Sequence, residues 1–304
     1  MKYAKLSNDE MFTSMAELRA LVEGEVHFLT GVGLFQAGGG IARRSSTIKA
    51  VGEVVSISSD PGEVNKELRG KCFSIQPDVI LGVDKASFKS LYGELVEGVK
   101  TSRECQKLDL IYTDGVLIAG LREEERDSKS LLDHSRKPFS QSGTMDPYTS
   151  RLMVNLAKPS GKVLDPFAGL GSILIEASWM GFSCYGLDVE VRALEKARTN
   201  LNFFGLNCEL SLGSATSLPF SGKSAVVTDP PYGRSSNARG MKLRELYEGF
   251  FYAVPDILEG RLVFATDSNL DWRDQIRSAG MRVLSTHYIY LHKSLSRAIY
   301  VVEK

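Results

Sequence analysis

The chain has 304 residues, room for one large or two ordinary domains, and 43% of them are hydrophobic, which supplies a core and excludes a disordered chain. Lysine plus arginine number 37 and aspartate plus glutamate 37, so a strongly basic nucleic-acid protein is excluded. The halves differ little: residues 1–150 carry 19 basic and 22 acidic side chains, net −3, and residues 151–304 carry 18 and 15, net +3, so any nucleic-acid contact rests on local patches.

In chain order, Asp9 is placed to cap a helix running to about Glu23, with Met11, Met15, Leu18 and Val22 on one face. Glu25 to Phe35 reads as strand broken by glycines, and Gly38-Gly39-Gly40 as a turn, since the phosphate-loop pattern is missing. Arg43 and Arg44 open an expected helix that includes Lys49, with the two arginines as candidate phosphate contacts. An amino-terminal α+β subdomain is thus expected over 1–60. A second module follows over 61–130: a strand from Asp78 to Val83, a helix from Lys85 to Lys100, and a hairpin of Leu108–Tyr112 and Gly115–Ala119 turning at Asp114-Gly115. Residues 122–136 are dense in charge and read as an exposed excursion, with a linker at 131–145.

From residue 146 strands and helices alternate. Asp146-Pro147 looks like an N-cap followed by proline at the first helical position. Strands are expected at 162–164, 183–187, 208–212, 225–228 and 261–265, helices at 173–180, 190–204, 243–258 and 272–279, and a terminal hairpin from 282–291 and 297–302. Such alternation is the signature of a parallel, doubly wound α/β sheet. Cys72, Cys105, Cys184 and Cys208 are scattered without a CxxC pair, which points to reduced thiols of a cytoplasmic protein and away from a zinc site, so no metal is expected. Residues 1–10 lack an apolar signal region, and no run approaches the ~20 apolar residues of a membrane span.

Two loops carry chemistry. Asp165-Pro-Phe-Ala-Gly-Leu-Gly-Ser172 joins the first strand of the 146–304 region to its helix, and Gly169 and Gly171 let the backbone approach a ligand. Asp188, 23 residues after Asp165, ends the next strand and suits a ribose. A dinucleotide site would want a third glycine at position 174, where Leu174 stands. S-adenosylmethionine, with an amine, a ribose and an adenine but no phosphate, fits better. The second loop is Asp229-Pro230-Pro231-Tyr232, after the apolar run Ala225–Thr228. A carboxylate and the Pro230 carbonyl accept hydrogen bonds, two prolines stiffen the loop, and an aromatic ring stacks: together they suit a planar base with an exocyclic amine. Read alone, the same residues also make a plain strand-closing turn.

DPFAGLGS, LDVE and DPPYG resemble the motifs of class I methyltransferases acting on exocyclic amines. With RKPFSQSGTMDPYTSRLMVNL and DPPYGRS, the chain resembles the THUMP-domain tRNA guanosine-10 N2-methyltransferases, well over 134–304 and loosely over 1–130. The resemblance implies a class I methyltransferase domain at 146–304 preceded by a THUMP-type RNA-binding region. It implies S-adenosylmethionine held by Asp165, Phe167, Ala168, Gly169, Gly171, Asp188, Val189, Ser214, Ala215 and Asp229, and catalysis by Asp229, Pro230, Pro231 and Tyr232. The family carries an acid where Ser214 stands here. The expected partner is tRNA, met by Arg43, Arg44, Arg136, Lys137 and Arg234. Some class I methyltransferases that resemble this chain are activated by a small zinc-binding protein, for which the candidate surface is Phe203-Phe204-Gly205-Leu206 with the edge strand Cys208–Leu212. Two other readings fit part of the pattern: a DNA adenine-N6 methyltransferase, which shares DPPY, and a catalytically inactive RNA-binding subunit.

Overall fold

The computed structural model describes residues 1–8, 10–82, 84–220, 222–233, 242–293 and 295–304. They fall into two units, Met1–Asp127 and Ser128–Lys304.

The first unit holds β1 (Lys2–Leu6), α1 (Met11–Leu21), β2 (Val26–Leu29), β3 (Val32–Phe35), α2 (Ile41–Arg44), β4 (Ile48–Ser58), α3 (Pro61–Leu68), β5 (Cys72–Val79), α4 (Lys85–Leu95), β6 (Lys100–Thr101), β7 (Lys107–Thr113) and β8 (Val116–Glu125). Its strands make one sheet in the order β2-β3-β1-β4-β8-β7-β5-β6. The break expected at residue 60 therefore does not separate two sheets, because β4 pairs antiparallel with β8 across it. Lys49 belongs to β4, not to a helix. The β-branched residues Ile48, Val51, Val54, Val55 and Ile57 suit a pleated sheet, and α2 ends after one turn at Arg44. The cap expected at Asp9 and the strand end expected at Val83 lie outside the described residues.

The hairpin falls where Asp114-Gly115 directs it: both residues have positive φ, 52° and 80°, as the tight two-residue turn requires. The charged 122–136 stretch is not an excursion. Its first part continues β8, and Arg122 donates from Nε to the buried Asp109 carboxylate at 2.8 Å. Asp109 also accepts from the hydroxyl of Tyr3, a ring so close to β8 that a Cβ on Gly120 would lie 2.2 Å from it. Charges that read as a solvated run are thus partners in a buried network, which costs less than an unpaired charge inside a protein. Cys72 and Cys105 are disulfide-bonded, as are Cys184 and Cys208. This corrects the expectation of reduced thiols. Separations of 33 and 24 residues gave no local signal, yet neighbouring strands bring each pair together.

The second unit begins with α5 (Ser128–His134) and α6 (Pro147–Leu156). α5 occupies part of the expected linker and buries Leu131 and His134. Its anchor is a buried polar network: Glu176 receives Arg151 Nε at 2.6 Å and lies 2.5 Å from His134 Nδ1, while Arg151 also bonds Ser130 at 2.9 Å. α6 starts as its sequence directs, with the Asp146 carboxylate accepting from Thr149 N–H at 2.9 Å and Pro147 in the first turn.

Beyond α6 run β9 (Lys162–Asp165), α7 (Ser172–Trp179), β10 (Ser183–Asp188), α8 (Val191–Phe203), β11 (Glu209–Leu212), β12 (Ser224–Thr228), α9 (Leu243–Ala253), β13 (Leu258–Asp267), α10 (Arg273–Ser278), β14 (Arg282–His292) and β15 (Leu295–Glu303). The sheet order is β11-β10-β9-β12-β13-β15-β14, parallel except where β15 runs antiparallel to both neighbours. α9 buries Tyr247, Phe250 and Phe251 against Phe264 and Trp272, with Tyr247 stacked on Trp272 at 4.0 Å. Each fully buried aromatic is worth about 1.5–3 kcal/mol, so this cluster fixes β13 beside β12. Among the described residues no helix is long and apolar enough to cross a membrane.

Candidate active site

β9, β10, β12 and β13 are parallel, so their carboxyl ends share one edge of the sheet. The chain winds outward from β9 in one direction through β10 and in the other through β12. Such a reversal of strand order opens a crevice where ligands bind. Asp165 ends β9, Asp188 ends β10 and Asp229 follows β12.

The glycine loop is built for close approach. Gly169 and Gly171 both have positive φ, 50° and 81°, and a Cβ on Gly171 would stand 3.3 Å from the Ala197 side chain. Asp188 is locked from both sides: Oδ2 accepts from Gly169 N–H and Oδ1 from Glu190 N–H, each at 2.8 Å. Burial pushes its carboxyl up, and these backbone donors pull it back. Asp165 is deeper. It accepts from Phe167 N–H at 3.1 Å and from the Thr228 hydroxyl at 2.6 Å, and burial raises its pKa to about 7. Thr228 thereby ties the cofactor loop to the strand that presents Asp229. Ser172, at the start of α7, has a buried hydroxyl oxygen without a partner. An orphaned hydroxyl beside two left-handed glycines and a ribose-type acid fits a polar, phosphate-free ligand with an amine and a diol.

The remaining residues expected at the cofactor are less uniform. Phe167 packs edge-on against Phe250 at 5.4 Å, and Val189 is an exposed apolar side chain next to Asp188. Ala168 is 5% exposed and Ala215 only 2%, packed in the core with Leu164 and Val226, so the Ala215 side chain is not offered to a ligand. Ser214 Oγ lies 2.8 Å from Thr216 Oγ1 and accepts from Thr216 N–H at 3.3 Å, so it braces its own turn.

Asp229 is held differently. Tyr232 donates its hydroxyl proton to Asp229 Oδ1, and Tyr232 Oη accepts from Arg297 Nε at 2.9 Å. A second guanidinium nitrogen of Arg297 lies 3.7 Å from Asp229 Oδ2. Burial pushes the Asp229 carboxyl up, and Arg297 opposes it. Pro230 is buried and Pro231 partly so, which keeps the loop stiff. Sequence reading missed Arg297. Its signal was a lone cation in the apolar strand Leu295–Glu303, sharing a side with Ile299 and Val301.

Of the RNA candidates, Arg43 and Arg44 are exposed in the first unit, and Arg136 is exposed in the second with Asp133 at 3.1 Å. Lys137 is 8% exposed, and burial lowers its pKa; its ammonium is withdrawn from solvent, which corrects its reading as a phosphate contact. Arg234 lies outside the described residues. At the β11 edge, Phe203 and Leu212 are exposed, whereas Phe204 packs on Trp179 and His134.

A sheet in this order, closed by one antiparallel strand, with a glycine loop after β9, an acid ending β10 and DPPY after β12, defines a class I methyltransferase that uses S-adenosylmethionine. The family model UPF0020, described as an RMKL-like methyltransferase domain, matches residues 134–297, and the chain belongs to that family. A tRNA (guanine(10)-N2)-dimethyltransferase from Pyrococcus abyssi is 32% identical over 250 residues, 78% of this chain and 76% of the relative. One from Methanothermobacter thermautotrophicus is 37% identical over 175 residues, but the match spans 56% of this chain and 52% of that one. Among solved structures, TrmN from Thermus thermophilus matches at a TM-score of 0.53 and 19% identity over 100% of both chains, a likeness of fold.

Proposed function

We propose that the chain transfers methyl groups from S-adenosylmethionine to N2 of guanosine 10 in tRNA, giving N2-methylguanosine and, by a second transfer, N2,N2-dimethylguanosine. The observation that carries this reading is Asp229-Pro-Pro-Tyr232 at the end of β12, tied through Thr228 to a nucleoside-type site.

Bound S-adenosylmethionine supplies a methyl carbon activated by a positive sulfur. The chain's residues do the rest. Asp188 keeps acceptor capacity for ribose hydroxyls, Val189 lines the adenine, and Asp165, the glycine loop and Ser172 meet the amino-acid end. The guanine N2 lone pair is delocalised into the ring, so the amine is a poor nucleophile. Asp229 and the Pro230 carbonyl accept its two N–H groups, favour a pyramidal nitrogen and stabilise the charge that grows on it; such preorganised electrostatics is often the largest catalytic contribution. Tyr232 fixes the ring by stacking. A base in a stem must first be flipped out at a cost of about a few kcal/mol, offset by tRNA contacts elsewhere.

The first unit, read as a THUMP-type RNA-binding region, is the candidate for those contacts, with Arg43 and Arg44 there and Arg136 in the second unit. Charge reversal at these three should weaken tRNA binding and flatten its salt dependence. A fragment 128–304, which keeps α5 and its anchor on Glu176, should bind cofactor but not methylate tRNA; normal methylation by that fragment would refute this division of labour. The cytoplasm, where tRNA is available, is the proposed setting. Two disulfides are uncommon there, so cell fractionation is the direct check. A zinc-binding activator at the β11 edge is a further proposal supported by exposed Phe203 and Leu212; full activity of the protein purified alone would reject it.

Nucleoside analysis after incubation with labelled S-adenosylmethionine tests the activity. Label in N2-methylated guanosine from tRNA is expected. Label in N6-methyladenine from DNA would favour the adenine enzyme, and no transfer to either would favour an inactive subunit.

A further inference from the structure

Arg297 is 3% exposed on β15 and has no part in the motifs that identify the site. Its neighbours account for its burial. Asp267 faces it across the β13–β15 ladder, Nε donates to Tyr232 Oη at 2.9 Å, and the other end of the guanidinium stands 3.7 Å from Asp229 Oδ2. The side chain thus touches both functional residues of the DPPY loop from behind. We propose that Arg297 is a positioning residue for methyl transfer: it fixes the Tyr232–Asp229 pair so that the base finds a charged, oriented acceptor. This rests on the methyltransferase reading above.

Tyr232 accepts from Arg297, so its own proton points to Asp229 Oδ1. A chain from a charged donor through a hydroxyl to a carboxylate has one polarity, and each bond strengthens the next. One edge of Asp229 is thereby committed, while the side chain keeps 20% of its surface open to a ligand. The groups that bear on Asp229 are Tyr232 from its own loop, Arg297 from β15, Asp146 from the start of α6, Asp165 from β9 and Tyr247 from α9. Arg297 is the cation among them. Burial and the acids all favour a protonated carboxyl, which lacks the negative charge that would offset charge growing on the amine; Arg297 opposes them. Removing the cation returns Asp229 toward the protonated form at higher pH.

The test uses the full chain with Arg297→Gln, Arg297→Lys and Tyr232→Phe. Aspartate labelled with carbon-13 at the carboxyl, assigned through Asp229→Asn, reports the Asp229 titration by NMR without substrate; kcat and KM are followed against pH with tRNA. In Arg297→Gln the Asp229 titration and the acid limb of kcat should both move up by about one pH unit or more, the usual effect of a neighbouring opposite charge. Affinity for S-adenosylhomocysteine should stay within twofold. Arg297→Lys should return the titration toward wild type but recover kcat only in part, because the Nε–H to Tyr232 bond is lost. An unmoved titration in Arg297→Gln, or a lysine variant no better than glutamine, would overturn the proposal. Should Arg297→Gln not fold, Tyr232→Phe carries the test: kcat should fall about tenfold, the worth of one hydrogen bond, with cofactor affinity kept, and an unchanged kcat would overturn it. Wild-type protein inactive on tRNA would instead count against the methyltransferase reading, leaving the NMR titration to judge Arg297 alone.

Discussion

The two sides of the candidate site hold their carboxylates in opposite ways. On the cofactor side, Asp188 is gripped by backbone N–H groups of Gly169 and Glu190, and Asp165 by Phe167 N–H and the Thr228 hydroxyl. On the base side, Asp229 is held by the side chains of Tyr232 and Arg297. A backbone donor leaves only if its loop moves; a tyrosine hydroxyl leaves by a side-chain rotation. The cofactor side thus depends mainly on loop backbone, and the base side on two side chains, Tyr232 and Arg297, that hold one edge of Asp229.

The largest expected effect lies on the base side. Asp229→Ala should lower turnover by about two orders of magnitude or more while cofactor affinity stays within a few-fold, the pattern of a contact that matters mainly in the transition state. Equal turnover at saturating tRNA would remove Asp229 from the chemistry. Asp229→Asn keeps the shape and one acceptor but loses the charge, and its turnover measures what the charge contributes.

Asp188→Ala should act on the cofactor side, weakening S-adenosylmethionine binding by about 1–3 kcal/mol, the scale for unpairing hydrogen bonds in a buried site. Calorimetric titration measures it, and unchanged affinity would exclude the ribose role. The two variants should separate cleanly: Asp188→Ala in binding, Asp229→Ala in turnover.

The smallest effect is on stability. Asp165 titrates near 4 in an unfolded chain and at about 7 in the fold. Its folded form binds the proton more tightly, so it costs stability as pH rises from about 4 to about 7. Asp165→Asn should flatten that part of the profile in the ligand-free protein, so the difference in urea midpoint between variant and wild type should grow in the variant's favour from pH 4 to pH 7. A constant difference would mean that Asp165 is not held protonated.

Much of the second unit was legible because its signals are local. Asp146-Pro147 states a helix start, Asp229-Pro-Pro-Tyr232 a strand end, and the core of β12 is a short apolar run that reads as a buried strand. Arg297 was not legible, since its partners Tyr232 and Asp229 lie more than 60 residues earlier and meet it only through the β13–β15 ladder. The first unit was harder for the same reason. The sheet that joins β4 to β8 is a contact between residues about 60 to 75 apart, and Asp109, Arg122 and Tyr3 form a buried network that composition reads as solvated charge. Lys137 failed in the opposite direction: a basic pair next to a proline looks exposed, yet the second member is buried, with the Glu176 and Asp146 carboxylates bearing on it.

Asn200, fully buried on α8, binds two strangers at once. Its amide nitrogen donates to the carbonyls of Phe139 and Leu170, each at 3.0 Å, and its oxygen accepts from Phe139 N–H at 2.8 Å. Leu170 sits inside the glycine loop, whereas Phe139 precedes α6. One side chain thus clamps the loop to a segment about 30 residues earlier, and the Phe139 amide becomes a remote reporter. Its proton should exchange with solvent only when the clamp opens, so a ligand that quiets the loop should slow exchange at Phe139 as well.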